Sequence, residues 1–566
     1  MVYYWFIIAI ISFFVINVPI CLLNYKNFRF KISIADILIT LFCILTVFTT
    51  YIQNNQTNMK SYVLILLLIL YYFFRYFFSD KSEMIKTAVI LIFIVTGLIE
   101  AIWGLLELYG FLASNHQLYK ITGTFFNPAP YAGWLAMVFP CSFAYILTDY
   151  KIIQQKSGLP LHYIRLSICL ITCIFILLVL PATMSRTAWI ATVIASLFVV
   201  IAINSSIILS YLKKNKSKVI VMAIFILLLV LVALASLYNL KKDSATGRIL
   251  MWKISLQTAI SNPLGVGLNN FSGYYGEQQA EYFANNKNIS DREQLIAGNP
   301  AYAFNEYLQI SIESGLISSL LFIIFLFIII KKGIKKSKIP VVGALMALLF
   351  FAIASYPFNI VAFIIAFVCL SALCIDIDYD KPNNSRIQIV LLLILLPVAY
   401  SCIYQLWQSN KAQQRVQKAN SMYIAGIYES ALPILEKEYL FLQDDKHYLF
   451  MYAQCLSKTK QYEKSNSVLE KAMKISCDPM FYNLIGKNHQ ELYDFSAAET
   501  AFIKASNIVP SKIYPHYLLA KLYHEAGLIK KAEEKAKYIM DKIPKVDSGA
   551  VQEMKDEMEK LLEGIK

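Results

Sequence analysis

The chain is poor in charged residues for its length. Of its 566 residues, 16% are Asp, Glu, Lys or Arg, whereas soluble domains carry about 25%, and 58% are hydrophobic. This shortage excludes an ordinary soluble protein. The composition instead predicts an integral membrane protein with a more polar tail.

Cysteine is present, but without the spacings typical of metal sites. Cys455 and Cys477 lie in the polar tail and are not spaced as metal ligands, so a disulfide between them stays open. The other eight fall in apolar segments and are interpreted as small core residues: Cys21, Cys43, Cys141, Cys169, Cys173, Cys369, Cys374 and Cys402. We therefore expect no metal site and leave the redox compartment open.

The tail also lacks the basic excess of a nucleic-acid-binding domain. The whole chain carries a net charge of +15, but residues 411–566 hold 23 Lys and Arg against 21 Asp and Glu. Nearly all of the excess therefore belongs to residues 1–410, where membrane topology explains it. No nucleic-acid partner is expected.

Apolar runs long enough to cross a bilayer recur about twelve times. They lie near 3–23, 32–52, 61–79, 87–110, 129–149, 166–182, 187–210, 219–238, 311–330, 339–355, 358–375 and 388–407. The connections after the odd-numbered runs contain 19 Lys and Arg, and no basic residue precedes the first run. By the positive-inside rule these connections face the cytoplasm. The short connections bearing Asn127 and Arg186 then share the outer face with a large loop predicted over 239–310.

The run 339–375 leaves the topology open at one place. Ser355, Pro357 and Asn359 interrupt it, so two short spans or one broken helix both fit. Two spans place the tail outside, and one would place it in the cytoplasm. We favour two spans because the polar break is central and because the basic residues of the flanking connections then follow the positive-inside rule.

The tail, residues 411–566, repeats itself. Its Ala- and Lys-rich segments align at Tyr428, Tyr462, Phe495 and Ile529, with spacings of 34, 33 and 34 residues. This is the tetratricopeptide period, in which helix pairs stack into a solenoid that binds peptides or proteins. The predicted fold is therefore all-α: a polytopic membrane bundle of about 12 spans over 1–410, followed by a tetratricopeptide-repeat solenoid that recruits a protein partner.

The polar stretch 247–315 is longer than a connection between spans requires, which favours a functional role. Four motifs occur in order: GTFFNPAPYAGWL (123–135), MSRTAW (184–189), GRILMW with NPLGVGLNNF (247–271) and FNEYLQISIESGL (304–316). Over roughly 90–375 the sequence resembles the bacterial O-antigen ligase and polymerase superfamily. The resemblance implies an undecaprenyl-diphosphate-linked glycan as donor and a metal-independent, inverting transfer, without a cofactor, at the outer face of the inner membrane.

Two arginines suit a diphosphate donor because guanidinium is always charged and can contact phosphate bidentately. Arg186 precedes a span and Arg248 opens the large loop, and both match arginines that the family uses for the donor. Anchoring to lipid phosphate at the membrane edge is the alternative. Where the ligase branch carries a histidine directly before the asparagine of the last motif, this chain has Phe304.

The missing imidazole leaves Glu306 as the candidate base and Asn305 beside it as a catalytic candidate. Glu306 requires a pKa raised by burial, and its alternative role is a helix-start carboxylate. His116 is a further substitute for the histidine. Asn127, Gly265, Gly267 and Glu100 are predicted to shape the pocket, although Asn127 also fits a helix cap and the glycines fit a turn.

Three function classes follow from these residues. The first is a glycosyltransferase whose acceptor is a lipid, another glycan or a protein, and the repeats shift weight towards proteins or assembly partners. The second is a noncatalytic scaffold in the cell envelope, supported by the missing histidine. The third is a transporter, for which the intramembrane carboxylates Glu100 and Glu107 would be the support.

Overall fold

A computed structural model describes residues 32–79, 82–155, 159–205, 210, 242–286, 289–375 and 385–565, with backbone alone at 79, 242–244, 385–395 and 565. The described elements are helical. Seven helices are long and apolar enough to cross a membrane, as expected of a multi-pass membrane protein. The predicted spans at 3–23 and 219–238 lie outside the described residues, so the count of twelve stays a prediction.

Among the described residues, six helices of this kind precede the large loop, and a seventh follows it. They are α1 (Ile34–Asn54), α2 (Met59–Ser79), α3 (Glu83–Leu108), α4 (Pro128–Gln154), α5 (Pro160–Val179), α6 (Arg186–Ile203) and α11 (Leu316–Lys335). Helix α4 is the centre of the bundle and packs against α3, α5 and α6. Its side chains are buried almost all round, whereas the other spans leave large apolar side chains exposed, as bilayer contact requires.

The interrupted run 339–375 forms two short helices, α12 (Ile339–Ala352) and α13 (Val361–Leu373), joined through a 3-10 turn at Pro357–Asn359. Helix α12 packs against α4 and α6, and α13 packs against α2. The turn lies beside the large loop, because the Phe358 amide donates to Glu306 Oε1 at 2.6 Å. The break in the run is therefore observed, and two crossings rather than one stay a prediction.

The stretch expected to be a long polar loop is largely helical. It contains α7 (Lys242–Ser261), α8 (Phe271–Asn285), α9 (Asp291–Ile296) and α10 (Glu306–Ser314). Leu250, Ile254, Phe271, Tyr275 and Ile312 form its own buried cluster. The region predicted as a long polar loop thus consists largely of four packed helices, because these apolar residues suffice to pack them together. We call the membrane face that carries them the loop face.

The tail begins within one long helix, α14 (Ser385–Ile424). Leu406 packs in the membrane cluster and Ala412 in the tail cluster, so the packing partner changes around the predicted boundary at residue 410. Eight helices follow: α15 (Tyr428–Leu442), α16 (Lys446–Lys458), α17 (Tyr462–Ile475), α18 (Pro479–Glu491), α19 (Phe495–Ile508), α20 (Tyr514–Glu525), α21 (Ile529–Asp541) and α22 (Gly549–Ile565). Four of them begin at the four aligned positions.

The tail packs directly on the large loop. Helix α8 contacts α17 and α19, and a Cβ on Gly273 would come within 2.1 Å of the Met473 carbonyl oxygen. Only glycine permits that approach. Ser272 Oγ lies 3.2 Å from Cys477 Sγ, and Lys504 pairs with Glu277 at 3.0 Å. The tail and the large loop therefore lie on the same face.

Candidate functional site

Two helix starts and the beginning of the large loop enclose a cavity of about 460 Å³ at the loop face, which we call the arginine pocket. Arg186 and Arg248 both line it, as does Lys120. The remaining lining residues are mostly small, polar or aromatic: Tyr119, Ile121, Asn127, Pro128, Ala129, Ala182, Thr183, Met184, Ser185, Thr187, Phe304 and Tyr356. No Asp or Glu is among the described residues that line it.

Helix α6 positions Arg186, which is its first residue, after the 3-10 turn Leu180–Thr183. Ser185 makes no side-chain cap hydrogen bond to the start of α6. The amino end of a helix carries partial positive charge and favours anions. The second helix start at the pocket is that of α4, where Asn127 accepts from the Ala129 amide at 3.0 Å and Pro128 follows. Asn127 thus combines the cap role with a place in the pocket wall.

Arg248 reaches the pocket from α7. Its Nη1 donates to Thr187 Oγ1 at 3.3 Å, and its guanidinium lies 5.7 Å from the centre of the Phe304 ring. Burial, followed by the charge of Arg186, lowers the pKa of Arg248. Both causes disfavour the charged guanidinium, and an anion bound in the pocket would stabilise that charge. The arrangement is suited to a compact anion with several oxygen atoms.

Phe304 lines the pocket where the resemblance would place a histidine. Its φ of +49° is in the left-handed region, uncommon for a bulky side chain, and its ring lies 5.1 Å from the ring of Tyr356. Tyr356 stacks on Tyr302 at 5.0 Å, and burial raises its pKa to about 12. Neither side chain is a proton acceptor near neutral pH.

Glu306 does not line the arginine pocket, against its predicted role as base there. It is 2% exposed and faces a second cavity, with its carboxylate bonded by the Phe358 amide and lying 3.5 Å from the Asn359 amide nitrogen. Burial raises its pKa to about 8. The raised pKa is what a general base would need. The carboxylate, however, bonds to the 356–359 connection and lines the second cavity instead of the arginine pocket.

Three other predicted residues act as supports. Asn305 caps α10 by accepting from the Leu308 amide at 3.1 Å. Gly265 and Gly267 have φ of +91° and +89°, and the Gly267 amide donates to the Glu313 carbonyl at 2.9 Å. These glycines pack on the end of α10 and do not line the arginine pocket. The backbone amides of both glycines donate to carbonyl groups of the protein, so the turn has a structural role and does not present them to a phosphate.

Glu100 and Glu107, the two carboxylates on α3, hold the connection that precedes α4. Glu107 accepts from the amides of Thr122 and Gly123 at 2.7 and 2.8 Å, and Glu100 accepts from the Thr124 amide at 3.1 Å. Glu100 therefore shapes the pocket only indirectly, through the segment that carries Lys120 and Asn127. Because both carboxylates accept hydrogen bonds from this connection, they have a structural role, and this weakens the interpretation of the protein as a transporter.

His116 lies outside the pocket wall and accepts from the Leu118 amide through Nδ1 at 3.1 Å. Lys120, Tyr119 and Tyr356 line the pocket but were not predicted as site residues. Lys120 had a signal in the sequence, since it is one of only three basic residues in the short outer connections. The two tyrosines had none, because their places depend on long-range packing.

Part of the chain is similar to a known family. The O-antigen ligase family matches residues 171–323. The matched segment holds Arg186 and Arg248 and ends within α11, so it supports assignment to the O-antigen ligase superfamily and a membrane glycosyltransferase-like role. No curated protein matches the chain. Within the described residues, no three His, Cys, Asp or Glu side chains are grouped as metal ligands.

Proposed function

We propose that the protein is a membrane glycosyltransferase that binds the diphosphate of an undecaprenyl-diphosphate-linked glycan in the arginine pocket. One observation carries the proposal: Arg186, Arg248 and Lys120 converge with two helix starts in a pocket whose described wall has no carboxylate. A diphosphate gains from each of these features. Arg186 and Arg248 would also stabilise the charge that develops as the diphosphate departs.

The proposed transfer inverts the sugar centre without a metal ion, as the family resemblance implies. The described pocket wall supplies cations rather than a general base, so leaving-group stabilisation would provide the main catalytic effect. The acceptor is a lipid, another glycan or a protein. We propose that the pocket opens on the periplasmic side of the bacterial inner membrane.

The tail supports a role in recruiting protein partners. Helices α15, α17, α19 and α21 begin at the four aligned repeat positions, and consecutive tail helices pack together. We propose that residues 411–566 form a tetratricopeptide solenoid that presents a protein beside the arginine pocket. Its docking on α8 favours a protein acceptor or an assembly partner.

The test uses the full-length protein in lipid nanodiscs with an undecaprenyl-diphosphate glycan. Donor binding and glycan transfer to lipid, glycan and protein acceptors are measured for the wild type, Arg186→Ala and Arg248→Ala. Each substitution should reduce transfer by about 100-fold or more, the effect typical of losing one charge-stabilising group. Lys253→Ala is the matched control, because Lys253 lies on α7 over the Tyr282 ring and outside the pocket wall.

Unchanged donor binding and transfer in both arginine variants would contradict the proposal. The scaffold alternative is favoured by Phe304 and by the direction of Glu306. It predicts that the wild type transfers no glycan to any acceptor, while the tail still binds a protein.

A further inference from the structure

A second cavity lies on the other side of α10, between the membrane helices α1, α2, α11 and α13. We call it the apolar slot. Its volume is about 200 Å³, well above the roughly 10–15 Å³ that one water molecule needs. Most of its wall consists of Leu, Ile, Val and Phe side chains. The proposed glycosyl transfer does not use it.

The slot is elongated along helix α2. On α2 its wall runs from Lys60 to Tyr71, eleven residues apart, which corresponds to roughly 16 Å of helix. That is about half the thickness of a bilayer's hydrocarbon core. Ser371 lies near the end of α13, remote from the loop face. These dimensions fit one hydrocarbon chain inserted from the loop face.

The end of the slot at the loop face is polar and rich in acid groups. In the part of its wall that the structure describes, Glu306 and Glu313 accompany one cation, Lys60, which lies 3.8 Å from Glu313. A diphosphate placed there would meet two carboxyl groups and one lysine that already has an acidic partner. Because Glu313 already offsets Lys60, the described wall offers a diphosphate no unpaired cation and fits a head group that is neutral or cationic.

Two buried hydroxyls in the wall lack a hydrogen-bond partner. Thr46 Oγ1 on α1 and Ser371 Oγ on α13 belong to side chains that are 0% exposed. A buried hydroxyl without a partner is costly, so each such group calls for an explanation. Thr46 lies one turn below Thr50, whose hydroxyl accepts from the Leu268 amide at the loop face. An ester or amide carbonyl just below a lipid head group would reach that level.

We propose that the apolar slot binds one acyl chain of an ester- or amide-linked membrane lipid with a neutral or cationic head group, at a site separate from the donor's. Glu306 and Glu313 face the head group, Thr46 donates to the carbonyl, and the chain extends towards Ser371. The proposal does not depend on glycosyl transfer, because a lipid can occupy the slot whether or not the arginine pocket is catalytic.

The test is photolabelling of the full-length protein in nanodiscs doped with a 1-monoacylglycerol that carries a diazirine near its methyl end. Labelled peptides should map to α13 around Ser371 and to α2 around Tyr71. Ser371→Leu fills the slot and should reduce this labelling at least 10-fold, whereas Ser371→Ala, which removes only the hydroxyl, should retain it. Thr46→Leu is a second filling variant, and thermal melting of each variant confirms that it folds.

Either of two kinds of result would overturn the proposal. One is displacement of the label by undecaprenyl diphosphate, which would assign the slot to the donor's own chain. The other is equal labelling in Ser371→Leu and Ser371→Ala, or labelling confined to bilayer-facing side chains such as Ile37 and Ile44, both at least half exposed.

Discussion

The arginine pocket and the apolar slot are separated by little more than the segment 304–306 and the turn around residues 356–359. Phe304 and Tyr356 line the pocket, whereas Glu306 and Phe358 line the slot. The pocket collects cations and aromatic rings, and the slot collects carboxyl groups and aliphatic side chains. Alternate residues of one segment thus face two different environments, one cationic and aromatic and the other mainly apolar with a paired lysine. Closeness in sequence to a family motif therefore does not determine which of the two cavities a side chain lines.

Replacing the lysine of each cavity should affect donor binding and transfer very differently. Lys120 lines the arginine pocket, and Lys60 lines the slot beside Glu313. Lys120→Ala should lower donor binding and transfer about 10-fold, because it removes one charge-assisted contact worth roughly 1.5 kcal/mol. Lys60→Ala should leave both within twofold of the wild type. Binding titrations with the lipid-diphosphate glycan at two salt concentrations measure the contrast.

Equal losses of donor binding in Lys120→Ala and Lys60→Ala would contradict the assignment of the donor to the arginine pocket alone. Lys253→Ala controls for a general loss of positive charge. Retained donor binding in Lys120→Ala would remove Lys120 from the site and leave the two arginines unaffected.

Glu306→Gln tests whether the carboxyl group in the apolar slot affects stability rather than transfer. Burial raises the pKa of Glu306 in the folded protein to about 8, above the usual 4.5 of an exposed glutamate. The folded state therefore holds a proton that the unfolded state releases, and stability falls as pH rises from about 4.5 to 8. The loss is roughly 1 kcal/mol per pH unit. Glu306→Gln should flatten this decline and leave transfer at pH 7 within a few-fold of the wild type.

Melting temperatures of the wild type and Glu306→Gln between pH 5 and pH 8.5 provide the measurement. Parallel curves would show that Glu306 does not titrate as its burial indicates. A transfer loss of 100-fold at pH 7 with an unchanged melting temperature would restore Glu306 to the catalytic machinery.

Much of the fold followed from the sequence, because its signals are local. Predicted runs such as 32–52 and 61–79 agree with α1 and α2 within a few residues, since apolar length alone defines a span. The aligned positions Tyr428, Tyr462, Phe495 and Ile529 each begin a helix, because the repeat reflects the same local unit each time. The convergence of Arg186 and Arg248 agrees with their predicted shared face. That both contact one diphosphate stays a prediction.

The direction of Glu306 could not be predicted, because it depends on the contact between α10 and the 356–359 connection, fifty residues away. The left-handed backbone of Phe304 and the stacking of Tyr356 have the same origin. The four helices of the large loop were missed for a different reason. Its polar composition concealed a small cluster of apolar residues that becomes visible only when Leu250, Phe271 and Ile312 come together.

The smallest expected effect on transfer concerns the contact between the tail and the loop. Ser272 Oγ lies 3.2 Å from Cys477 Sγ, so Ser272→Cys should place two sulfur atoms close enough to form a disulfide under mild oxidation. Mass spectrometry of the linked peptides detects the bond, and Cys477→Ser in the same background should abolish it. We expect transfer to stay within twofold, because the docked tail does not obstruct the arginine pocket, whose described wall contains no tail residue. Loss of transfer that dithiothreitol restores would instead show that α8 must separate from the tail during the reaction.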